Sequence, residues 1–329
     1  MQTALANNRQ TRRRVHIRPN LTIMKGTIAD LKFVRYGDTV VPIIMGRERK
    51  RIINHILPQG LNDYVNNLIT VINSGKATST SISGWSSSYN NEVQLLNNGS
   101  VVQTLNATVL PVLNGSTVIW VFIANDLSTA SYSANQVNLL ASVNYATYYA
   151  NIGALQYSPP FNLATATTSI VKQSGETISF IWEIQLNLGS SALPSFILGI
   201  LYSIPTVQSC GGILGSLGGV YHSGQYTNPY YFSSIALQYV GGSSSGSVSS
   251  VTTSYDGTNT YLVISASISL SSQVTATSII VDVTATNNNN FCLNGQLVNT
   301  ASAIQIPYSA TLPSGTITAT VTIEFYPAT

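Results

Sequence analysis

The side chains that offer chemistry in this sequence are arginines and lysines gathered near the amino end. The first cluster has five members within ten residues: Arg9, Arg12, Arg13, Arg14 and Arg18. The second cluster comprises Arg47, Arg49, Lys50 and Arg51. Guanidinium and ammonium groups in such clusters neutralise phosphates and release counterions, independently of base sequence. We therefore expect the first cluster to bind a polyanion.

The second cluster runs into an apolar stretch that contains Ile52, Ile53 and Ile56. A basic cluster beside apolar residues favours contact with an acidic partner surface or with anionic lipid headgroups. For both clusters the alternative is a solvated basic tail without a partner. The distribution of charge along the rest of the chain favours binding, because bases are excluded there almost completely.

Charge divides the chain into two parts. Residues 1–51 hold twelve bases and three acids, a formal charge of +9, whereas residues 52–329 hold two bases and eight acids, a formal charge of −6. The last 157 residues, from Gln173, contain no lysine or arginine. Only 8% of the residues are charged, against about 25% in ordinary soluble proteins. We expect a body covered by hydroxyl and amide groups, with few carboxylates to protonate and hence tolerance to acid.

The sequence offers little for catalysis. Its three histidines, His16, His55 and His222, lie in unrelated segments, and acids do not cluster at metal-ligand spacing. The segment Gly242 to Gly246 fits the G-x-S-x-G pattern, but it reads as a Ser/Gly linker between strands rather than a strand-to-helix elbow. The glycine-rich run from Gly211 to Gly219 lacks the lysine of a phosphate loop and predicts a tight turn. We predict no enzymatic activity and no cofactor.

The amino-terminal residues must position the two basic clusters. Residues 1–20 show no apolar period and predict a flexible basic arm. Residues 21–75 predict an anchoring segment, with a hairpin of strands Ile28 to Tyr36 and Thr39 to Met45 around Gly37-Asp38. After a break at Pro58 and Gly60, apolar residues from Leu61 to Ile72 recur at helical spacing, with Asn62 as a cap and Gly75 as the stop.

Beyond residue 76 the chain repeats itself at an offset of about 140 residues. The first copy gives strands at Val93 to Leu96, Thr117 to Ile123, Gln136 to Ala141 and Thr177 to Leu186. The second gives strands at Ile235 to Val240, Thr260 to Ser265, Ser278 to Val283 and Thr316 to Phe325. Turn pairs separate them in matching order: Asn98-Gly99, Asn114-Gly115 and Ser174-Gly175, then Gly241-Gly242, Asp256-Gly257 and Ser314-Gly315.

Each copy has room for seven or eight strands, the number expected of a β-sandwich or jelly roll. We therefore predict an all-β protein with two tandem antiparallel sandwiches, residues 76–190 and 191–329, preceded by the arm, the hairpin and one short helix. The closing strands carry single acids, Glu183 and Glu324, which we expect on an outward face or in local pairs, since neither has a basic neighbour in sequence.

The sequence also contains features that bear on covalent modification and on the compartment of the protein. Sequons for asparagine-linked glycosylation occur at Asn20 and, within the first sandwich, at Asn98, Asn106 and Asn114. Cys210 and Cys292 read as two buried thiols, with a disulfide as the alternative. No export signal is visible at the amino end. An exterior-looking surface without a signal predicts a protein made in the cytoplasm and carried outside within a particle.

The basic arm, the short helix and the two repeated sandwiches together resemble jelly-roll virion structural proteins, including double jelly-roll capsid proteins. The Thr/Ser/Tyr-rich, base-poor body is similar to structural proteins of viruses that infect hyperthermophilic archaea. The resemblance spans the chain as architecture, without a short diagnostic motif. It implies a capsid, penton or turret building block that self-assembles with itself and other virion proteins. The arm would then face the genome, an inner membrane or an underlying shell.

Two further functions stay open at this point. A tail fibre or receptor-binding spike would use the sandwiches to contact a host glycan or pilus, with the first 75 residues docked on the virion. A cellular surface adhesin or pilus subunit fits the composition less well, because an export signal is missing.

Overall fold

The all-β class predicted from the sequence is confirmed by the structure, a computed structural model in which almost every described residue belongs to a β-strand. The described residues are 12–36, 39–53, 55–63, 65–66, 80–81, 91–114, 117–141, 144–149, 152–157, 160–187, 220–221, 230–285, 290–293 and 296–327.

Five strands and two short helical segments precede the repeated part of the chain. They are β1 (Arg12–Gly26), a 3-10 turn (Ile28–Asp30), β2 (Leu31–Tyr36), β3 (Thr39–Ile44), β4 (Glu48–Ile53), β5 (His55–Ile56) and an α-helix at residues 58–63 and 65–66. The predicted hairpin is confirmed, since β2 and β3 pair antiparallel. Its first strand begins at Leu31 because the preceding turn is closed by Asp30, which accepts a hydrogen bond from the Thr27 backbone (2.8 Å).

The helix begins three residues earlier than predicted. Pro58 starts the helix instead of ending the preceding stretch, as its fixed φ and missing N–H suit the first turn. Gly60 lies inside the helix, where a Cβ atom would overlap the carbonyl oxygen of Asn162. Asn62 is therefore a helical residue and not the cap. The predicted end of the helix, at Gly75, lies outside the described residues.

The repeated part consists of two units with the same strand order. The first unit (residues 80–187) contains β6 (Thr80–Ser81), β7 (Glu92–Asn97), β8 (Ser100–Asn106), β9 (Thr108–Asn114), β10 (Thr117–Asp126), β11 (Tyr132–Ala141), β12 (Asn144–Tyr149), β13 (Ile152–Tyr157), β14 (Phe161–Lys172) and β15 (Thr177–Asn187). The second unit (residues 220–327) contains β16 (Val220–Tyr221), β17 (Tyr230–Tyr239), β18 (Gly242–Tyr255), β19 (Thr260–Leu270), β20 (Val274–Ala285), β21 (Asn290–Leu293), β22 (Gln296–Val298), β23 (Thr300–Leu312) and β24 (Gly315–Pro327).

The strand pairings of the two units correspond one to one. The pairs β7–β8, β7–β11 and β11–β14 match β17–β18, β17–β20 and β20–β23. The pairs β9–β10 and β10–β15 match β18–β19 and β19–β24. Even the small sheet of β6, β12 and β13 has its counterpart in β16, β21 and β22. The repeat predicted from the sequence is thus present in the topology, with positive φ at the expected turn residues Gly99, Gly241 and Gly257.

In each unit the chain passes from one sheet of the sandwich to the other at the same place in the strand order. In the second unit, the first half of β18 pairs with β17 and the second half with β19. In the first unit, β8 and β9 divide this role and meet at Ala107. The segment Gly242 to Gly246, expected to be a linker, is therefore part of a strand. A Cβ atom at Gly246 would overlap the Ser267 carbonyl oxygen, which explains the glycine where the strand changes sheets.

β1 joins the two units into one sheet. It pairs antiparallel with β15 and, through Arg12 to Ile17, parallel with β24, while β4 continues on the β24 side from Asn20 onwards. We call the resulting array, in the order β9-β10-β15-β1-β24-β19 and the second half of β18, the central sheet. Residues 12–20 are consequently not a flexible arm. They are ordered because Val15 and Ile17 are buried and the backbone is paired. Residues 1–11, with Arg9, lie outside the described residues.

Most buried apolar residues of both units form one continuous cluster between the central sheet and the opposing sheets. Trp120, Phe180 and Trp182 contribute from the first unit, and Ile264 and Phe325 from the second. The predicted anchoring segment is part of this body: β5 pairs with β14, Leu61 and Val65 of the helix are buried in the cluster, and Asn66 accepts a hydrogen bond from Thr253. The predicted boundary near residue 190 lies outside the described residues and stays a prediction.

Candidate anion-binding face

Strand alternation directs the side chains of β1 to two different environments. Val15, Ile17, Leu21 and Ile23 enter the core. The intervening side chains point to the opposite side, which we call the outer face of the central sheet: Arg12, Arg14, His16, Arg18, Asn20, Thr22 and Met24. Arg12, Arg14 and Arg18 are exposed there. Arg13 points the other way, and partial burial lowers the pKa of its guanidinium from the usual value.

β4 brings the second basic cluster to the same face. Its antiparallel register places Arg51 beside Thr22 and Arg49 beside Met24. The Arg51 Nε donates to the Asn20 Oδ1 (3.0 Å). The two clusters, separate in the sequence, therefore form a single basic stripe of Arg12, Arg14, Arg18, Arg49 and Arg51. Lys50 lies on the other side of β4 and lines a cavity of about 220 Å³ with Ile23 and Lys25. Arg47 precedes β4 and is exposed.

Glu324 lies on the outer face, one of the two places expected for it, and its partners are arginines that are distant in sequence. Its carboxylate is buried and lies 3.0 Å from Arg14 Nε and 3.5 Å from Arg12 Nε. Two tyrosines hold these arginines in place: the Arg12 guanidinium lies 5.0 Å from the Tyr261 ring centre, and that of Arg14 lies 5.6 Å from the Tyr326 ring centre. Such contacts order arginine side chains at small cost in entropy. Arg14 and Glu324 are 310 positions apart in the sequence, so a local sequence pattern does not predict their pairing.

Glu183 and His16 complete the outer face of β1. Glu183 accepts a hydrogen bond from Asn20 Nδ2 (3.0 Å). His16 stacks on Tyr326 with ring centres 4.8 Å apart. Burial, together with the positive charge of Arg18, lowers the pKa of His16 below its usual value. At neutral pH the stripe therefore presents five guanidinium groups against two carboxylates, a surplus of positive charge on one face.

A separate polar cluster is buried inside the first unit. The Lys172 ammonium donates to the carbonyl oxygens of Ser128 (2.6 Å) and Ala130 (2.8 Å) and lies 3.7 Å from Asp126. Tyr132 donates to the same carboxylate (2.8 Å). Burial alone would raise the pKa of Asp126, but hydrogen bonds from Ser128 and Tyr132 and the Lys172 charge outweigh burial and lower it. Because Lys172 and Asp126 are fully buried, this cluster is placed to act on stability.

The sequons occupy different environments. Asn20 is engaged with Glu183 and Arg51 within the central sheet. Asn98 and Asn106 are exposed at the two ends of β8, where Asn98 Oδ1 accepts from Asn135 Nδ2 (2.8 Å). Asn114 ends β9, but its side chain lies outside the description. The structure thus leaves Asn98 and Asn106 as the accessible candidates, and glycosylation stays a prediction.

Other candidates for chemistry lie mostly beyond the described residues. Cys210, His222 and the run from Gly211 to Gly219 are not described, nor is the side chain of Cys292. Within the described ranges, no group of three or more metal-ligating side chains occurs. In the same part of the chain, no helix has both the length and the apolar character to cross a membrane.

Comparison with known proteins adds no family to these observations. Neither the models of protein families nor the curated proteins give a match to this chain.

Proposed function

We propose that this chain is a structural protein of a virion, a shell building block that assembles through contacts between its β-sandwich units. The observation that carries the proposal is the duplicated sandwich, fused through β1 into one sheet whose exposed arginines lie on one face. A shell subunit needs a broad plate with two unlike sides. The basic stripe gives the side that faces an anionic inner layer, which is the genome, an inner membrane or an underlying shell.

The second unit contains no lysine or arginine and only three acids, and this scarcity of charge supports the same proposal. Hydroxyl groups on neighbouring strands hydrogen-bond in pairs, as in Ser265 with Thr320 (3.3 Å) and Thr284 with Thr300 (3.0 Å). Cross-strand hydroxyl pairs stabilise a sheet without ionised groups. A surface of this kind keeps its character when the outside pH changes, as the exterior of a particle must.

Assembly is the first test of the proposal. The purified full chain, concentrated stepwise, is expected to form regular oligomers or closed shells that negative-stain electron microscopy and sedimentation velocity detect. Antibodies raised against the chain should label many positions on each virus particle. A chain that stays monomeric and labels only a few projections on each particle would instead favour the receptor-binding spike.

The basic stripe is tested by substitution, because removal of residues 1–20 would delete the centre of the sheet. Arg18→Gln together with Arg49→Gln removes two exposed charges, and Arg18→Lys with Arg49→Lys is the matched control. Binding to duplex DNA should lose about two units of its salt slope in the glutamine variant and stay unchanged in the lysine variant. An unchanged slope in both would contradict an anion-facing role for the stripe.

A further inference from the structure

The hairpin of β2 and β3 carries exposed apolar side chains beside the basic stripe. One face of the hairpin packs on the outer face of the central sheet, where Val41 and Ile43 meet Val121, Ile123 and Ile181. The other face points away from the body, and Phe33 and Val40 on it are 72% and 50% exposed. Ile28 and Met45, 60% and 50% exposed, flank the base of the hairpin. We call these four residues the hairpin patch.

The patch is unusual because its exposure is concentrated. Single exposed apolar residues are normal on a protein surface, whereas a contiguous group marks an interaction site. The register places Phe33 opposite Pro42 and Arg35 opposite Val40. The patch residues Phe33 and Val40 therefore share one face of the hairpin with Arg35 and Pro42. The backbone bond from Met45 N to the Asp30 oxygen (2.9 Å) fastens the two flanks together. Phe33 and Val40 of the patch thus lie on one face of two paired strands, and Ile28 and Met45 lie in the segments that flank those strands.

Positive charge surrounds the hairpin patch. Lys32, Arg35, Arg47 and Arg49 are all exposed on the hairpin and the segment that follows it. Residues 28–51 hold six bases and three acids. Hydrogen bonds from the Thr27 backbone and hydroxyl, with smaller effects from the charges of Arg47 and Lys32, lower the pKa of Asp30. That carboxylate is thus held by its own turn, and Arg35 and Arg49 are exposed beside the patch.

We propose that the hairpin patch and its basic rim form a docking surface for an anionic lipid bilayer. Apolar side chains among lysines and arginines match the two layers of a membrane interface, acyl chains beneath phosphate headgroups. Nucleic acid would satisfy the bases but would leave Ile28, Val40 and Met45 in contact with phosphate and water. This inference deepens the proposed function, because it names the inner layer that the basic side faces, and the binding itself needs no assembled particle.

Vesicle flotation with the full chain tests the proposal. The protein should float with vesicles of phosphatidylcholine and phosphatidylglycerol and much less with phosphatidylcholine alone. Phe33→Ser with Val40→Thr should weaken binding by about tenfold or more, as apolar area stays in water. Arg35→Gln should weaken it by about fivefold. The matched control is Val101→Thr with Val102→Thr, which removes two exposed valines of β8 on another sheet and should leave binding unchanged.

A second measurement separates insertion from surface attraction. The natural chain already contains Trp85, Trp120 and Trp182, so its emission is subtracted as background. A Phe33→Trp variant adds a reporter at the patch, and the added emission should shift to the blue with anionic vesicles. Three outcomes overturn the proposal: no flotation at low salt, flotation unaffected by the Phe33 and Val40 substitutions, or association of lipid-free copies that depends on Phe33. Duplex DNA binding with no vesicle binding would also reject the lipid surface while leaving the shell function standing.

Discussion

The two units share one strand order but differ in what closes the same corner of their sandwiches. In the first unit, Tyr132 at the start of β11 pairs with Lys172 at the end of β14, and Asp126 ends β10. In the second unit, the pair at this position is Val274 with Leu312, and Leu270 ends β19.

One fold thus accepts either a buried ion pair or apolar side chains at the same place. Buried ion pairs are seldom more stable than well-packed apolar residues of similar volume, whereas breaking one is costly. The comparison teaches that the polar cluster is not required by the topology. It predicts large single-site effects in the first unit and small ones in the second.

The largest effect is expected for Lys172→Met. The substitution leaves the Asp126 carboxylate buried without its cation and the Ser128 and Ala130 carbonyl groups without their donor. A loss of about 3–5 kcal/mol in the free energy of unfolding is expected, measured by urea denaturation. The matched change in the second unit is Leu312→Met, which should cost less than about 1.5 kcal/mol. Equal losses at the two sites would break the comparison.

The next effect concerns the strand that passes between sheets. The first unit changes sheets at Ala107, between β8 and β9, whereas β18 does so without interruption and brings Gly246 against Ser267. Gly246→Ala should cost about 1–3 kcal/mol, because the backbone of β18 or β19 must shift. Thermal unfolding of Gly246→Ala measures this loss of stability. Gly241→Ala is the comparison variant, a glycine substitution without a steric overlap. Gly241 has φ 90° but open space around its Cα, so strain there comes from backbone conformation alone.

The two units differ less in how their carboxyl groups respond to low pH. Asp126 in the first unit and Asp256 in the second both have lowered pKa values; hydrogen bonds, first from Tyr261, take Asp256 to about 2. A carboxyl whose folded pKa is lowered stabilises the protein fully above its unfolded value of about 3.9 and loses that effect as pH falls through the folded value.

The stabilisation from these two carboxyl groups should therefore be level from neutral pH to about pH 5 and decline only below about pH 4. Because the pKa of His16 is also lowered in the folded protein, the urea midpoint should show a separate, modest decline as pH falls below about 6.5. Circular dichroism should show retained β-structure at about pH 3, since the chain has eleven acids in all. A midpoint that does not decline further below about pH 4, or loss of β-structure at about pH 3, would contradict this prediction.

The sequence predicts the repeat because turn chemistry and alternation are local signals. Asn98-Gly99 and Asp256-Gly257 need positive φ, and the strands beside them alternate clearly. The sequence does not predict that residues 12–20 form an ordered strand, and the reason is the opposite one. Only Val15 and Ile17 face the core among several arginines, and the stabilising partners, β15 and β24, lie far along the chain.

The basic stripe was predicted in composition but not in arrangement. The sequence shows two separate basic clusters, and only the pairing of β1 with β4 places Arg51 near Asn20. The neutralisation of Glu324 and the exposure of Phe33 depend on which strands meet, which no local pattern encodes. The pairing of strands that are distant in the sequence is thus what local sequence patterns do not predict.

The smallest net effect is expected when the first unit receives the residues of the second. Asp126→Leu, Tyr132→Val and Lys172→Leu together remove the buried charges and their hydroxyl partner at once, so no ion is left unpaired. The free energy of unfolding of the triple variant should lie within about 1 kcal/mol of that of the natural chain, although Lys172→Met alone lowers it strongly. Urea denaturation of all three proteins under one set of conditions measures the difference. If the triple variant lost as much as the single one, the cluster would be a requirement of the first unit and not an alternative to apolar packing.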